Sequence, residues 1–322
     1  MDNAGMDFVL VLGCHRSGTS VITSSLELFG LNLGSNLLPA NEHVNSLGFF
    51  ENLDVLALNE GILAQLGTNW KDPRPLEKFD QNSKTFSEYI TQIRDQMHKL
   101  HEVDGILALK EPRIPLLLDL WIPALKSLNI NLKIVTAMRN PSDVALSLLK
   151  RDSFHPILSQ QLWAQSTINS IRAARDFKNT FVFYDDFIEN PRISLDILSR
   201  TLEVAFCRSP DEINQFLEKN VKSELRHFFG LNNTLEVLEV AHTMFIYIQE
   251  HNTASYDSFP EELLMDWQQQ LDLSFNKINL HSQQDIKSTI IEYCYKKSRS
   301  LRMTVAILQR WAQTGSNRRP TD

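Results

Sequence analysis

The chain has 322 residues, 43% of them hydrophobic, which is enough to bury a sizeable core in one large domain. Its 32 lysines and arginines against 39 aspartates and glutamates leave a net charge of −7, which argues against general nucleic-acid binding because that needs a basic face. Three scattered cysteines are too few for a disulfide framework or a zinc site.

Targeting and membrane signals are also lacking in the sequence. The N-terminus shows no basic stretch followed by an apolar run, so no secretory signal is expected. The longest apolar stretches are far shorter than a membrane span. The nine histidines show no HExxH spacing, and no metal is assigned. These features favour a cytoplasmic protein.

The predicted elements alternate between strand and helix. Phe8–Leu12 is a short apolar run before Gly13, which is typical of a buried strand. Helical spacing begins at Thr19 and ends at Gly30. Further helices are predicted at 53–66, 86–101, 116–128, 142–150, 157–177 and 191–202, and further strands at 106–109, 132–138 and 181–184. Strands separated by helices at these spacings predict a parallel sheet with right-handed crossovers.

The predicted fold class is therefore α/β, a doubly wound parallel sheet flanked by helices, with a helical C-terminal extension. Strand signals cease after about Asn220, so we place the α/β domain at 1–229 and the extension, packed on it or appended to it, at 230–322. A helix is predicted at Ile286–Trp311, and eight lysines and arginines against one acid lie between Lys287 and Arg319. We interpret it as a docked helix with a solvated basic face; the alternative is contact with a partner, a membrane surface or a second copy.

A candidate phosphate-binding loop joins the first strand to the first helix. It reads Gly13-Cys14-His15-Arg16-Ser17-Gly18-Thr19-Ser20. Backbone N–H groups at a helix start lack internal partners and carry partial positive charge, so such a turn can wrap an anion. The four residues between Gly13 and Gly18 match the glycine spacing of a P-loop, so the predicted sheet is of the P-loop type. Thr19, however, stands where a Walker A loop requires lysine. The alternative is a simple strand–helix turn with incidental hydroxyls.

Cations follow two other strands, at the edge where parallel sheets bind their ligands. Lys110 follows the second strand and Arg139 the third. An asparagine and a proline then begin the next helix, and Ser147 lies about two turns into it. Together with Arg16, these residues predict a ligand that carries phosphates at two separated positions.

In combination, these motifs resemble the superfamily of sulfotransferases that use 3′-phosphoadenosine 5′-phosphosulfate (PAPS), especially its bacterial, tyrosylprotein and carbohydrate branches. The loop resembles the family's site for the 5′-phosphosulfate, with Arg16 where many members have lysine. The segment from Arg139 to Ser147 resembles the 3′-phosphate motif. Lys110-Glu111-Pro112 resembles the Lys-Asp-Pro element near the transferring group, and Tyr184-Asp185-Asp186-Phe187 resembles a segment whose tyrosine lies near the nucleotide.

The resemblance covers roughly residues 6–205 and implies PAPS as co-substrate, 3′-phosphoadenosine 5′-phosphate (PAP) as product, and no metal. The donor-binding residues that it implies are His15, Arg16, Ser17, Gly18, Thr19, Ser20, Arg139, Ser147 and Tyr184. The glycine-rich C-terminal signature of the animal cytosolic enzymes is absent, so the last adenosine contacts are not placed. Lys222 and Arg226 are candidates to close over the nucleotide, although a structural role is favoured for them.

The implied reaction is sulfuryl transfer to an acceptor hydroxyl, in which a side chain takes the hydroxyl proton and cations stabilise the leaving phosphate. In the branches resembled here, the base is usually a glutamate on a loop after the first helix. The candidates are Glu42, His43 and Glu51, and Glu51 is favoured because two neighbouring phenylalanines shield it from water. Lys110 and Arg16 are the other catalytic candidates. A surface carboxylate beside apolar anchors is the alternative for Glu51.

Two other functions fit parts of the sequence. A P-loop ATPase or kinase would use the same loop, and Tyr184-Asp185-Asp186 mimics a Walker B carboxylate, but the loop lysine is missing and cations rather than carboxylates end the strands beside the loop. The second is a non-catalytic nucleotide-binding protein that acts through its basic C-terminal helix. The acceptor stays open between a carbohydrate, a protein tyrosine and a small metabolite.

Overall fold

The computed structural model describes residues 6–41, 45, 47–100, 105–221, 236–251 and 259–277. Within them the architecture is α/β with a parallel sheet flanked by helices, as the alternation of strands and helices predicts. None of the helices in these ranges is both long enough and apolar enough to cross a membrane. The predicted helix Ile286–Trp311 and the candidate contacts Lys222 and Arg226 lie outside the described residues.

Four parallel strands form the central sheet. They are β1 (Met6–Leu12), β2 (Leu107–Lys110), β3 (Ile130–Met138) and β4 (Lys178–Phe183), in the spatial order β2-β1-β3-β4. The register pairs Val11 with Lys110 on one side of β1 and Leu12 with Thr136 on the other. Because the chain passes from β1 to β2 and then returns across β1 to β3, the strand order reverses between β1 and β3. Doubly wound sheets bind their ligands at such a point.

Eleven α-helices lie in the described part of the chain. They are α1 (Thr19–Ser25), α2 (Leu53–Gln65), α3 (Lys84–Leu100), α4 (Leu118–Lys126), α5 (Pro141–Asp152), α6 (Pro156–Ala174), α7 (Tyr184–Glu189), α8 (Pro191–Leu202), α9 (Pro210–Asn220), α10 (Glu239–Glu250) and α11 (Glu261–Lys277). Two 3-10 turns, Leu26–Phe29 and Ile114–Leu116, follow α1 and precede α4. The single helix predicted at 116–128 is therefore divided, because the backbone leaves helical geometry at Leu117.

Two helices of the predicted α/β domain, α7 and α9, are missing from the sequence prediction, while α10 and α11 lie in the extension that was predicted to be helical without individual ranges. The helix α7 begins at Tyr184, which was predicted to end a strand; Phe183 is the last extended residue, and two aspartates occupy the first turn, where negative charge is favourable. The helix α9 begins with a capping box, in which Ser209 Oγ accepts from the Glu212 N–H and the Glu212 carboxylate accepts from the Ser209 N–H, with Pro210 at the first position. This second signal was readable in the sequence.

Apolar layers cover both faces of the sheet. Phe8 and Leu10 of β1 pack on one face with residues of α2, α3, α4, α6, α10 and α11. Val9 and Val11 point to the other face and pack with α1, α8 and α9. Burial on both faces explains why the strands read as continuous hydrophobic runs. The helices α10 and α11 share the first of these layers with α6, so the described chain after residue 236 packs on the core of the sheet.

Candidate active site

A cavity of about 250 Å³ lies at the carboxyl ends of β1, β2 and β3. Nine residues singled out from the sequence line it: His15, Arg16, Gly18, Thr19, Ser20, Glu51, Lys110, Arg139 and Tyr184. Ser17 and Ser147 are buried and do not line it. Glu42 and His43, the other candidate bases, lie outside the described residues. The ends of separate strands thus deliver most of the candidate residues to one place.

The loop after β1 depends on glycine where it meets α1. Gly18 is the N-cap of α1, and its φ of 88° lies in the left-handed region that favours glycine. A Cβ at this position would collide with the ring of Tyr184, which packs directly on the loop. No side chain caps the first turn of α1, whose residues Thr19 and Ser20 line the cavity. The loop therefore presents a helix start to the cavity, as expected of an anion site.

Two polar atoms of this loop are buried without a hydrogen-bond partner among the described residues. They are Ser17 Oγ and His15 Nε2. The pKa of His15 lies well below its usual value, mainly because the imidazole is buried. The positive charge of nearby cations, of which Arg113 has the largest effect, lowers this pKa further. The imidazole is therefore neutral at neutral pH, and its ring centroid lies 4.4 Å from that of Trp70. Buried polar atoms normally have partners, so His15 Nε2 fits a site that is completed by a polar ligand.

The arginine side of the cavity, as we call Arg16, Arg139, Arg151 and Ser147, concentrates positive charge. Arg16 Nε donates to Ser147 Oγ at 2.8 Å, and Arg139 Nη1 donates to the Arg16 carbonyl at 3.3 Å. The guanidinium of Arg139 lies 4.6 Å from the ring centroid of Tyr184. Burial, and then the charges of Arg151 and Arg139, lower the pKa of Arg16 to about 10. Like charges held this closely favour the binding of an anion.

Sequence reasoning missed Arg151, which also lines the cavity. It lies on α5, four residues after Ser147, so the two side chains share one face of that helix. Its Nε donates to Asp152 Oδ2 at 2.6 Å. The spacing of four residues from Ser147 was visible in the sequence and could have identified it.

The carboxylate side, as we call Lys110, Glu51, Glu111 and Arg113, contains balanced charge. Lys110 Nζ donates to Glu51 Oε1 at 2.5 Å and to the Phe49 carbonyl at 3.0 Å, and it lies 3.5 Å from Ser20 Oγ. The side chains of this ion pair are only 2% and 7% exposed. An ammonium group has three donors, so one N–H of Lys110 remains directed toward Ser20 at the cavity wall. The two leading catalytic candidates are therefore in direct contact.

The segment before Glu51 has an unusual backbone. Phe50 has a φ of 56° and Gly48 a φ of 106°, both in the left-handed region. Asn45 Nδ2 donates to the Gly48 carbonyl at 2.6 Å and to Ser20 Oγ at 3.2 Å, which joins this segment to the start of α1. A bulky residue with a positive φ costs about 1–3 kcal/mol, and such strain is found most often at functional sites.

A buried polar network lies behind the lysine. Glu111 is fully buried and accepts hydrogen bonds from Asn59 Nδ2 at 2.6 Å, from the Arg113 N–H at 3.1 Å and from Arg113 Nη1. Arg113 also binds Glu60 through Nε, and its Nη1 lies 3.9 Å from Glu51 Oε2. Burial raises the pKa of Glu111 to about 7, although the charge of Arg113 opposes the shift.

The carboxylates of the Walker B-like segment lie elsewhere. Asp185 and Asp186 do not line the cavity, and Asp186 instead lines a second cavity of about 200 Å³ between β4 and α8. Glu51 is the only carboxylate among the described residues that line the first cavity. Across the same described ranges, no group of three or more His, Cys, Asp or Glu side chains is placed to hold a metal ion.

A scan against protein-family models and a search of curated proteins gave no match. Three solved structures that are similar to this chain are named as sulfotransferases or sulfotransferase domains. The sulfotransferase domain of the Synechococcus PCC 7002 olefin synthase is 15% identical over 79% of this chain and 98% of that domain, with a TM-score of 0.46. The sulfotransferase domain from the curacin biosynthetic pathway is 18% identical over 79% of this chain and 89% of its own length, with a TM-score of 0.38.

A third similar structure is a mouse sulfotransferase, SULT7A1, complexed with PAP. It is 12% identical over 95% of this chain and 89% of its own length, with a TM-score of 0.36.

Proposed function

We propose that this chain is a sulfotransferase that moves a sulfuryl group from PAPS to an acceptor hydroxyl, with Glu51 as the base. The observation that carries the proposal is the charge of the cavity. Its lining contains a single described carboxylate, Glu51, and four cations, Arg16, Lys110, Arg139 and Arg151. Cations that lie at both the β2 and β3 ends suit a nucleotide with phosphate groups at two separated positions.

The proposed binding mode follows the two sides of the cavity. The 5′-phosphosulfate would bind at the loop, with Thr19 and Ser20 as hydroxyl donors and with His15 Nε2, which lacks a described partner, beside it. The 3′-phosphate would bind at the arginine side, next to Arg139 and Ser147.

Three further residues complete the proposed donor site. Arg16 belongs to both phosphate positions, because its backbone is in the loop while its side chain meets Ser147. Gly18 and Ser17 shape the loop, and the ring of Tyr184 lies between Gly18 and Arg139.

The proposed chemistry uses the carboxylate side. The bond from sulfur to the leaving phosphate oxygen breaks as a bond forms from sulfur to the acceptor oxygen, and the acceptor proton passes to Glu51. Glu51 Oε1 is bound by Lys110, which leaves Oε2 to take that proton. Lys110, with an N–H directed toward Ser20, would stabilise the charge on the leaving phosphate. No step of the scheme requires a metal.

The donor is tested by binding. We expect PAP without Mg²⁺ to stabilise the protein by about 2.7 kcal/mol at a concentration one hundred times its Kd, and ATP with Mg²⁺ to have no effect. Thermal unfolding with each nucleotide measures this directly. Stabilisation by ATP with Mg²⁺ and none by PAP would contradict the proposal and favour a kinase.

Transfer itself is tested with PAPS that carries radioactive sulfur. We expect a labelled product when the protein and this donor are added to a whole-cell extract, and no such product with a Glu51→Gln variant. Identification of the product would establish whether the acceptor is a carbohydrate, a protein tyrosine or a small metabolite. PAP binding without any labelled product would instead indicate a nucleotide-binding protein without catalysis.

A further inference from the structure

The network behind Lys110 suggests a role for two residues that lie outside the cavity lining. We propose that Arg113, anchored by Glu111, is a positioning residue that orients Glu51 for proton transfer; this inference rests on the proposed function of Glu51 as the base. Arg113 does not line the cavity, and its side chain is 11% exposed. It therefore acts on the reaction through Glu51 rather than through contact with a ligand.

The two oxygens of Glu51 have different neighbours. Oε1 lies 2.5 Å from Lys110 Nζ, whereas Oε2 lies 3.9 Å from Arg113 Nη1. A separation of 3.9 Å is too long for a hydrogen bond but still allows electrostatic attraction. Arg113 can therefore hold the orientation of the carboxylate without occupying the lone pair that must accept the acceptor's proton. A hydrogen bond from Arg113 to the same oxygen would compete with that proton.

Glu111 keeps Arg113 at this distance. The same nitrogen, Nη1 of Arg113, hydrogen-bonds Glu111 Oε1 and faces Glu51 Oε2. Glu111 is itself fixed by Asn59 and by the backbone N–H of Arg113. If Glu111 loses its charge, Nη1 loses its main acceptor and turns to Glu51, which blocks the base.

The protonation of Glu111 therefore affects the base. The charged groups around it are Arg113, Glu51 and Lys110, and the pKa of Glu111, raised by burial to about 7, brings its proton loss into the neutral range. Above pH 7 the ionised Glu111 holds Nη1, and Glu51 is available. Below pH 7 the neutral Glu111 releases Nη1 of Arg113, which then turns to Glu51.

A double-mutant cycle between Arg113→Lys and Glu51→Gln tests the inference. The measured rate is the release of PAP from PAPS with water as acceptor, and PAP affinity is measured by calorimetry. With Glu51 present, we expect Arg113→Lys to lower the rate about 10- to 100-fold, because misplaced catalytic groups lose that much. With Glu51→Gln, the same change should alter the rate less than about twofold, since Arg113 then has no base to orient.

The Glu111→Gln variant provides a second route, which is needed if Arg113→Lys fails to fold. Its rate relative to wild type should fall by about tenfold at pH 8 and come closer to wild type at pH 6, where most of the wild-type Glu111 is neutral. A matched control is Arg172→Lys, the same substitution at a half-exposed arginine that binds Glu261 on the surface. That variant should leave rate and affinity unchanged.

The outcomes separate the inference from the proposed function. Equal losses from Arg113→Lys in both Glu51 backgrounds, or a Glu111→Gln loss that does not depend on pH, would overturn the positioning role alone. A wild-type protein that neither binds PAP nor releases it from PAPS would overturn the proposed function, and the positioning role with it.

Discussion

The arginine side and the carboxylate side of the cavity both contain buried cations, but their electrostatic conditions differ. On the arginine side, positive charges crowd together, and the pKa of Arg16 is lowered to about 10 by burial and by its arginine neighbours. On the carboxylate side, Lys110 and Arg113 are each held by buried carboxylates. On the arginine side Arg151 is paired with Asp152, but Arg16 and Arg139 add further positive charge, so the arrival of an anion stabilises this side. The network on the carboxylate side is already balanced. The first arrangement suits binding, and the second suits the placement of reacting groups.

The difference between the two sides of the cavity should be clearest when Lys110 is replaced. We expect Lys110→Met to lower turnover about 1000-fold, because it removes the cation beside the leaving phosphate. It should also cost about 3–5 kcal/mol of unfolding free energy, since Glu51 is left buried without its partner. PAP affinity should fall by less than about tenfold, because the arginine side is intact. Turnover kinetics, denaturant unfolding and calorimetry measure the three effects.

The control for this variant is the double change Lys110→Met with Glu51→Gln. Removal of both charges should recover most of the lost stability without recovering turnover. Comparable losses of turnover and PAP affinity in Lys110→Met would show that Lys110 serves binding, and the contrast between the two sides would then be wrong.

A smaller effect is expected from Glu111→Gln on the pH dependence of stability. The pKa of Glu111 is raised from 4.5 to about 7 in the folded protein, so the folded state holds a proton that the unfolded state releases. Glu111 therefore contributes stability that is present below pH 4.5 and is lost as the pH rises through about 7, in total about 3 kcal/mol. Denaturant unfolding at pH 5 and pH 8 should show a smaller loss of stability in the variant. An identical loss in both proteins would mean that Glu111 does not titrate in this range.

The Arg139→Gln variant should have the smallest effect on the stability of the folded protein, but it should clearly weaken PAP binding. PAP affinity should fall about 10- to 100-fold, as the loss of one charged hydrogen-bonding group predicts. The unfolding free energy without nucleotide should change by less than about 1 kcal/mol. The substitution removes the repulsion between Arg139 and Arg16, and this gain offsets the lost hydrogen bond from Arg139 to the Arg16 carbonyl. Lys126→Gln, at an exposed ion pair with Asp176, is the control and should alter neither quantity.

A large loss of stability in Arg139→Gln without nucleotide would contradict this account. It would show that the arginine is part of the folded framework, like Lys110, and that both sides of the cavity are structurally balanced.

Much of the fold was predictable because it depends on short-range patterns. The apolar run of β1, the helix start at Thr19 and the helix 191–202 follow from periodicity and capping, and the structure agrees with them within a few residues. The end of β4 was predicted one residue too late: Tyr184 is already the first residue of α7, and its ring packs on Gly18.

The candidate site was predictable where its residues directly follow a strand. Residues that follow β1, β2 and β3 must meet at one edge of a parallel sheet, so Arg16, Lys110 and Arg139 could be brought together by reasoning from the sequence. Arg113 was missed because it lies beyond a proline, at a position that does not indicate which side chains it faces. Arg151 was missed although its spacing of four residues from Ser147 on α5 could have identified it.

The sequence alone determined a glycine-containing strand–helix loop without the Walker lysine, cations at the ends of neighbouring strands, and the order of the elements. These are local properties, set by which residues adjoin each turn. Only the tertiary structure decided that Glu51 contacts Lys110, that Arg16 reaches Ser147, and that Glu111 and Glu51 face the same nitrogen of Arg113. Those contacts join residues up to 131 positions apart. They depend on how the helices and loops pack on the two faces of the sheet, which the residues beside each turn do not specify.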